Sequence, residues 1–134
     1  MITEKERQNL IQQAMDIRQH AYAPYSKYKV GAALLSTSGR VFTGVNIENA
    51  AYSVTICAER TAVFKAVSEG DRSFSAVAIV TDDGGSPCGS CRQVLSEFGL
   101  DTRVLLLNGD GELLREQSVS DLLPGAFTSD SLSF

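Results

Sequence analysis

The stretch AVAIVTDDGGSPCGSCRQVLSEFGLDTRVLLL, residues 76–107, decides the fold. Ala76 to Thr81 is an apolar, β-branched run of the kind that forms a buried strand. Asp82-Asp83-Gly84-Gly85 interrupts it as a loop. Ser86-Pro87 then opens a helix, with Ser86 as N-cap and Pro87 in the first turn, ending near Phe98 before Gly99. Val104 to Leu107 is a second strand of the buried type. Strand, helix and strand in that order form a crossover, which implies a parallel pair.

Upstream, Cys57 to Glu69 carries the helix formers Ala58, Glu59, Arg60, Ala62, Lys65 and Ala66 and stops at Gly70. Before it, Tyr28 to Leu35 and Arg40 to Ile47 read as strands joined by a Ser38-Gly39 turn, a hairpin. The small residues Gly31, Ala32 and Ala33 let another backbone or a ligand approach closely. At the start, Thr3 and Glu6 fit a capping box; Leu10, Ala14, Ile17 and Ala21 recur at helical spacing, and Pro24 should end that helix. Downstream, Asn108-Gly109-Asp110-Gly111 is a turn, Glu112 to Glu116 an edge strand, and Val119 to Leu123 a short helical piece before Pro124-Gly125. The order α-β-β-α-β-α-β-β predicts an α/β fold: three α-β-α layers around a mixed five-stranded sheet, in a single domain over residues 1–134. No repeat or linker divides the chain.

Composition narrows the function. The 134 residues are 43% apolar and 21% charged, an ordinary globular balance. Twelve Lys+Arg against sixteen Asp+Glu leave a net charge of −4, which disfavours a nucleic-acid polymer as partner. The N-terminus lacks a signal-peptide pattern, and no apolar run approaches the roughly 20 residues of a membrane span. A reducing cytoplasm is the expected compartment, where cysteines serve as metal ligands, catalytic groups or core residues rather than disulfides.

The three cysteines divide as one plus two. Cys88 and Cys91, at i and i+3 of a predicted first turn, share a helix face where the helix terminus favours thiolate. A bare C-x-x-C also serves a redox pair or two small core residues. Cys57 starts another helix, with Glu59 two residues on. If both helix starts lie at one sheet edge, beyond the strand C-termini, three thiolates converge there. Three protein ligands leave the fourth zinc position to water, and an uncoordinated carboxylate beside them suits metal-assisted hydrolysis. Zinc-dependent deaminases of nucleic-acid bases show this pattern, including P-C-x-x-C and a non-ligand Glu as general acid/base. A lone helix glutamate is ordinarily a solvated one; its offset from Cys57 argues otherwise.

Zinc with three thiolates carries a net −1, which opposes ionisation of a bound water. Arg60, three residues after Cys57, is therefore expected to hydrogen-bond cysteine sulfurs and partly neutralise them, with Arg92 second in line; ordinary surface ion pairs are the alternative. His20 could close the site as Cys3His and make it structural, but it lies at the predicted end of the first helix, a common place for a bystander histidine.

At this point the sequence resembles the cytidine deaminases of the small, all-cysteine zinc type, across nearly the whole chain. The matching stretches are Ala23-Pro24-Tyr25-Ser26-Lys27-Tyr28, Val30 to Leu34, Gly44 to Tyr52, Cys57-Ala58-Glu59-Arg60 and Ser86 to Gln93. The resemblance implies one zinc ion per subunit on Cys57, Cys88 and Cys91, with Glu59 shuttling protons. It implies that Asn46 and Glu48 bind ribose hydroxyls and that Tyr28, where the family usually has Phe, packs on the pyrimidine. The backbone of Ala58 and the Ser86 region would orient the base, and Phe127 would reach a neighbouring subunit's site. It further implies deamination of cytidine and deoxycytidine in pyrimidine salvage, by a homotetramer with shared sites. In isolation, Asn46 and Glu48 also read as a polar turn and Phe127 as core packing. Three other readings compete: a deaminase of another nucleoside, base or nucleotide; a structural zinc protein using His20; and a dithiol oxidoreductase using Cys88 and Cys91.

Overall fold

The computed structural model describes residues 2–132. Its elements are α1 (Glu4–Arg18), β1 (Gly31–Ser36), β2 (Val41–Val45), α2 (Ala58–Ser68), β3 (Phe74–Val80), α3 (Gly89–Glu97), β4 (Arg103–Leu107), β5 (Leu113–Ser118) and α4 (Val119–Leu122). The sheet order is β2-β1-β3-β4-β5. Of the neighbouring strands in this sheet, β3 and β4 pair in parallel, across the α3 crossover, and the other three pairs are antiparallel. The predicted order and mixed sheet are therefore present.

Alternation along β1 builds the layers. Ala33 and Leu35 meet Leu10 and Ala14 of α1 on one face, together with Ala76, Ala78 and Val80 of β3. Ala32 and Leu34 point the other way, into a cluster with Ala58, Ala62 and Val63 of α2, Leu95 of α3 and Leu122 of α4. Because successive strand residues face opposite sides, the continuous apolar runs in β3 and β4 supply both cores at once.

Two glycines set how closely helices lie on the sheet. A Cβ at Gly31 would stand 2.4 Å from the Ala14 carbonyl oxygen of α1. One at Gly44 would stand 2.5 Å from the Ala58 oxygen and 2.6 Å from the Ala62 nitrogen of α2. The close approach expected at Gly31-Ala32-Ala33 is thus made by a helix. Gly44→Ala is expected to lower stability by about 1–3 kcal/mol in urea denaturation, since the obstructing atoms are backbone and cannot swing aside.

Several boundaries differ from the sequence reading. α1 does carry the Thr3–Glu6 capping box but ends at Arg18, well before Pro24. β1 starts at Gly31 rather than Tyr28, because the Asn46 side chain takes most of the bonds a strand partner would make to the residues before it: Asn46 Nδ2 donates to the Tyr28 oxygen (2.8 Å) and Val30 N donates to Asn46 Oδ1 (2.9 Å), leaving one backbone bond, Asn46 N to the Val30 oxygen (3.3 Å). β2 stops at Val45, and Ile47 pairs singly with Tyr22 and Ile56. Ser86 is not the cap of α3 and Pro87 is not in its first turn: Cys88 is the N-cap, while Ser86 Oγ accepts from Arg92 Nη2.

Candidate active site

The edge where Gly31 lies opposite both Val45 and Val80 holds a cavity of about 310 Å3. Helices α2 and α3 both begin there. β2 and β3 run parallel to each other with β1 between them, so α2 and α3 both cross on one sheet face and start at one edge. This is where open α/β sheets place ligands.

Both helix N-caps are cysteines. Cys57 caps α2 and Cys88 caps α3, each in extended backbone and neither with a capping side-chain hydrogen bond. An N-cap Ser or Asp would turn its oxygen back onto the helix; a thiol is a weak acceptor and stays free. Cys91, one turn into α3, is fully buried. The three sulfurs lie within 4.8 Å of one another, with Cys57–Cys88 at 3.9 Å and Cys88–Cys91 at 3.5 Å. Tetrahedral coordination at a Zn–S length of about 2.3 Å requires sulfur separations of about 3.8 Å, so the donor set fits zinc. His20 is exposed and lies apart from the three sulfurs, beside Gln13, Asp16 and Ile17.

Arg60 Nη2 donates to Cys57 Sγ at 3.3 Å. The Cys91 thiol and Arg60, working against burial, hold the Cys57 thiol down at about 5. The bond to Cys57 in turn pushes the Arg60 guanidinium up. Arg92 does not share this work: its Nε donates to the Pro87 oxygen (2.8 Å), its Nη1 to the Leu122 oxygen (2.7 Å) and its Nη2 to Ser86 Oγ (2.8 Å). It braces the loop before Cys88 against α4.

Glu59 is 5% exposed and lines the cavity. Burial pushes its carboxyl up to about 7, reinforced by the Cys57 charge. Such a group both takes and gives a proton near neutral pH.

Tyr28, Asn46, Glu48 and Ala58 line the same cavity. Asn46 has its amide tied to Tyr28 and Val30, yet one Nδ2 hydrogen and one Oδ1 lone pair remain. Glu48 Oε1 accepts from Tyr25 N (2.9 Å) and Ser26 N (3.1 Å), and Oε2 from the Ser26 hydroxyl. The Ser26 hydroxyl, first among these donors, holds the Glu48 carboxyl below its ordinary range. Phe127 is 58% exposed and outside the cavity, so core packing is not its role within this chain. Sequence reasoning gave no role to Thr81, Asp83 and Gly85: Thr81 and Gly85 line the cavity with Tyr28, and Asp83 Oδ1 accepts from all three; nothing local marks a loop aspartate as the partner of a tyrosine 55 positions away.

A family model described as the cytidine and deoxycytidylate deaminase zinc-binding region matches residues 4–107. The chain is 53% identical over 130 residues to a cytidine deaminase of Sporosarcina psychrophila, covering 95% of each. It is 52% identical over 131 residues to one of Halalkalibacterium halodurans, covering 96% of this chain and 98% of the relative. The crystal structure of cytidine deaminase from Burkholderia pseudomallei superposes with a TM-score of 0.86 at 47% identity, covering 94% of this chain and 100% of that one. A buried glutamate beside three convergent thiols agrees with these likenesses, and the chain belongs to the cytidine and deoxycytidylate deaminase family.

Proposed function

We propose that this chain hydrolyses cytidine and deoxycytidine to uridine and deoxyuridine, releasing ammonia, with zinc held by Cys57, Cys88 and Cys91. The observation that carries this reading is the buried Glu59 carboxyl on a nucleoside-sized cavity beside the three sulfurs. Bound zinc would supply Lewis acidity and lower the pKa of water, making a nucleophile available at neutral pH. Glu59 takes a proton from the attacking water and delivers it to ring N3 as the oxygen adds to C4. It then moves the remaining hydroxyl proton to the exocyclic amine. The C4–N bond breaks, ammonia leaves, and the C4 carbonyl of the product remains.

The other residues bind and orient. Tyr28 packs its ring on the pyrimidine. Asn46 and Glu48 use their spare donor and acceptor sites on ribose hydroxyls. The Ala58 and Ser86 backbone orients the base. Arg60 offsets part of the thiolate charge, and Arg60→Ala is expected to lower zinc affinity or turnover about 10- to 100-fold, read by metal analysis and initial rates. Unchanged values for both would remove Arg60 from this role.

The whole span 1–134 acts as one unit in this reading, placed in the cytoplasm and in pyrimidine salvage. Tyr25 and Tyr52 pack edge to face beside Glu48, and Tyr22, Ile47, Val54 and Phe127 are exposed as well. These support a homotetramer in which Phe127 enters a neighbour's site. Sedimentation with activity measured on dilution tests it; full activity in a monomer would exclude shared sites. The activity itself is tested with cytidine, deoxycytidine, cytosine, CMP and adenosine, followed by the ultraviolet change on deamination. Turnover of the first two and not the others is expected. Failure of the zinc-loaded protein on both nucleosides would overturn the reading.

A further inference from the structure

The Tyr28 hydroxyl donates to Asp83 Oδ1 at 2.7 Å. The bond joins two walls of the cavity. One wall is the segment before β1, where Tyr28 is fixed at its backbone: its N donates to Ser26 Oγ (3.0 Å), and its oxygen accepts from Asn46 Nδ2 (2.8 Å). The other is the loop from Thr81 to Pro87, which leads from β3 to Cys88. In that loop Gly85 N donates to Thr81 Oγ1 (2.9 Å) and to Asp83 Oδ1 (3.1 Å), so the carboxylate that receives the phenol is itself anchored.

Gly85 is shaped to this contact. A Cβ there would lie 2.8 Å from the Tyr28 hydroxyl oxygen and 3.3 Å from Asp83 Oδ1. Its backbone is in an ordinary region, so the space taken by the hydroxyl, rather than backbone strain, is what disfavours a side chain. Ser26 ties the arrangement to the remainder of the cavity, because the same hydroxyl that accepts from Tyr28 N donates to Glu48.

We propose that the Tyr28–Asp83 hydrogen bond is a positioning latch for substrate binding. It fixes the plane of the Tyr28 ring at its tip, as Ser26 and Asn46 fix it at its root, and joins the ring to the loop that leads to Cys88. A phenylalanine at this position would keep the ring and lose the tip anchor. Here the ring is set by a charge-assisted bond in addition to packing. Asp83 is thus a positioning residue that acts through Tyr28. The inference rests on the proposed cytidine deamination, with Tyr28 against the pyrimidine. A ring preset in its bound orientation favours the substrate complex and its transition state equally. Loss of the bond therefore raises KM and leaves kcat nearly unchanged.

The test is steady-state kinetics on the zinc-loaded protein with cytidine. Y28F and D83A are each expected to raise KM about three- to tenfold, with kcat and zinc content within about twofold of wild type. Y28F/D83A should be no worse than the poorer single variant, because both remove one bond. D83N, whose amide oxygen still accepts, should bring KM back toward wild type. G85A should raise KM in the wild-type background and much less in the Y28F background, where the obstructed oxygen is gone. Additive KM effects of Y28F and D83A, a wild-type KM in Y28F, or a fall in kcat alone would overturn the latch and leave the deaminase reading intact. Absence of cytidine turnover in the wild-type protein would overturn both.

Discussion

Glu59→Gln is expected to fold normally, bind zinc and lose about 100- to 10,000-fold in cytidine turnover. Gln preserves the size of the side chain and cannot carry a proton between water, N3 and the leaving amine. Metal analysis and circular dichroism should match wild type, so the loss would lie in kcat. Near-normal turnover with zinc in place would refute the shuttle role. The same substitution also has a signature in stability. In the metal-free protein, burial raises Glu59 from 4.5 to about 7. Between those values the folded state holds a proton that the unfolded state has lost, so stability falls as pH rises. The contribution is complete below about pH 4.5 and gone above about pH 7. Metal-free Glu59→Gln should therefore exceed wild type in stability by about 3 kcal/mol at pH 8, with the gap closing toward pH 4.5. Cys57, held down at about 5 from 9.0, contributes in the opposite direction: its stabilisation is present at high pH and lost as pH falls toward 5. It is common to both proteins and largely drops out of the difference. Urea denaturation across that pH range is the measurement; parallel curves for the two proteins would contradict the burial of an ionisable Glu59.

Removal of the metal is expected to abolish turnover, by at least about a thousandfold, while leaving the fold in place. Catalysis goes because the water activation that the metal supplies is lost. The fold remains because Cys57 and Cys88 are fixed as caps of helices whose apolar faces belong to one core cluster. This separates the protein from small zinc domains that unfold when stripped, where metal binding is itself the folding energy. Chelation followed by dialysis should give an inactive protein with its circular dichroism retained, and added zinc should restore the rate. Cys88→Ala should mimic the stripped state without rescue by zinc. Unfolding on chelation would instead indicate a structural centre. Turnover that survives chelation but follows the thiol redox state would favour a dithiol oxidoreductase.

Much of this was legible in the residues. The alternation of apolar strand and capped helix through residues 57–107 carries the crossover and the sheet, because period and punctuation are local properties. The convergence of the cysteines followed from that topology, since both helices start at one edge. What was not legible lies where side chains replace backbone partners. Asn46 occupies bonds that a strand would make, so β1 begins at Gly31. Cysteine takes the cap that Ser86 resembled in the sequence, and α3 starts later. Arg60 and Arg92 both neighbour cysteines in sequence. Arg60, at i+3 from Cys57, reaches its sulfur, whereas Arg92, at i+1 from Cys91, points to other partners. Tyr28 and Asp83 meet only because the fold closes a 55-residue separation, and no periodicity encodes that distance.

The three thiols lie on either side of the central strand in the order of the chain: Cys57 before β3, Cys88 and Cys91 after it. A nascent chain emerging from its N-terminus presents Cys57 alone until β3 has followed. The complete thiol set therefore exists only once α2, β3 and the start of α3 have been made, and its sulfurs meet only when β3 has docked against β1. In the proposed zinc site the ligand set is therefore complete only in a chain whose central strand pair has formed. A chain truncated before Cys88 would offer one thiol and compete poorly for zinc.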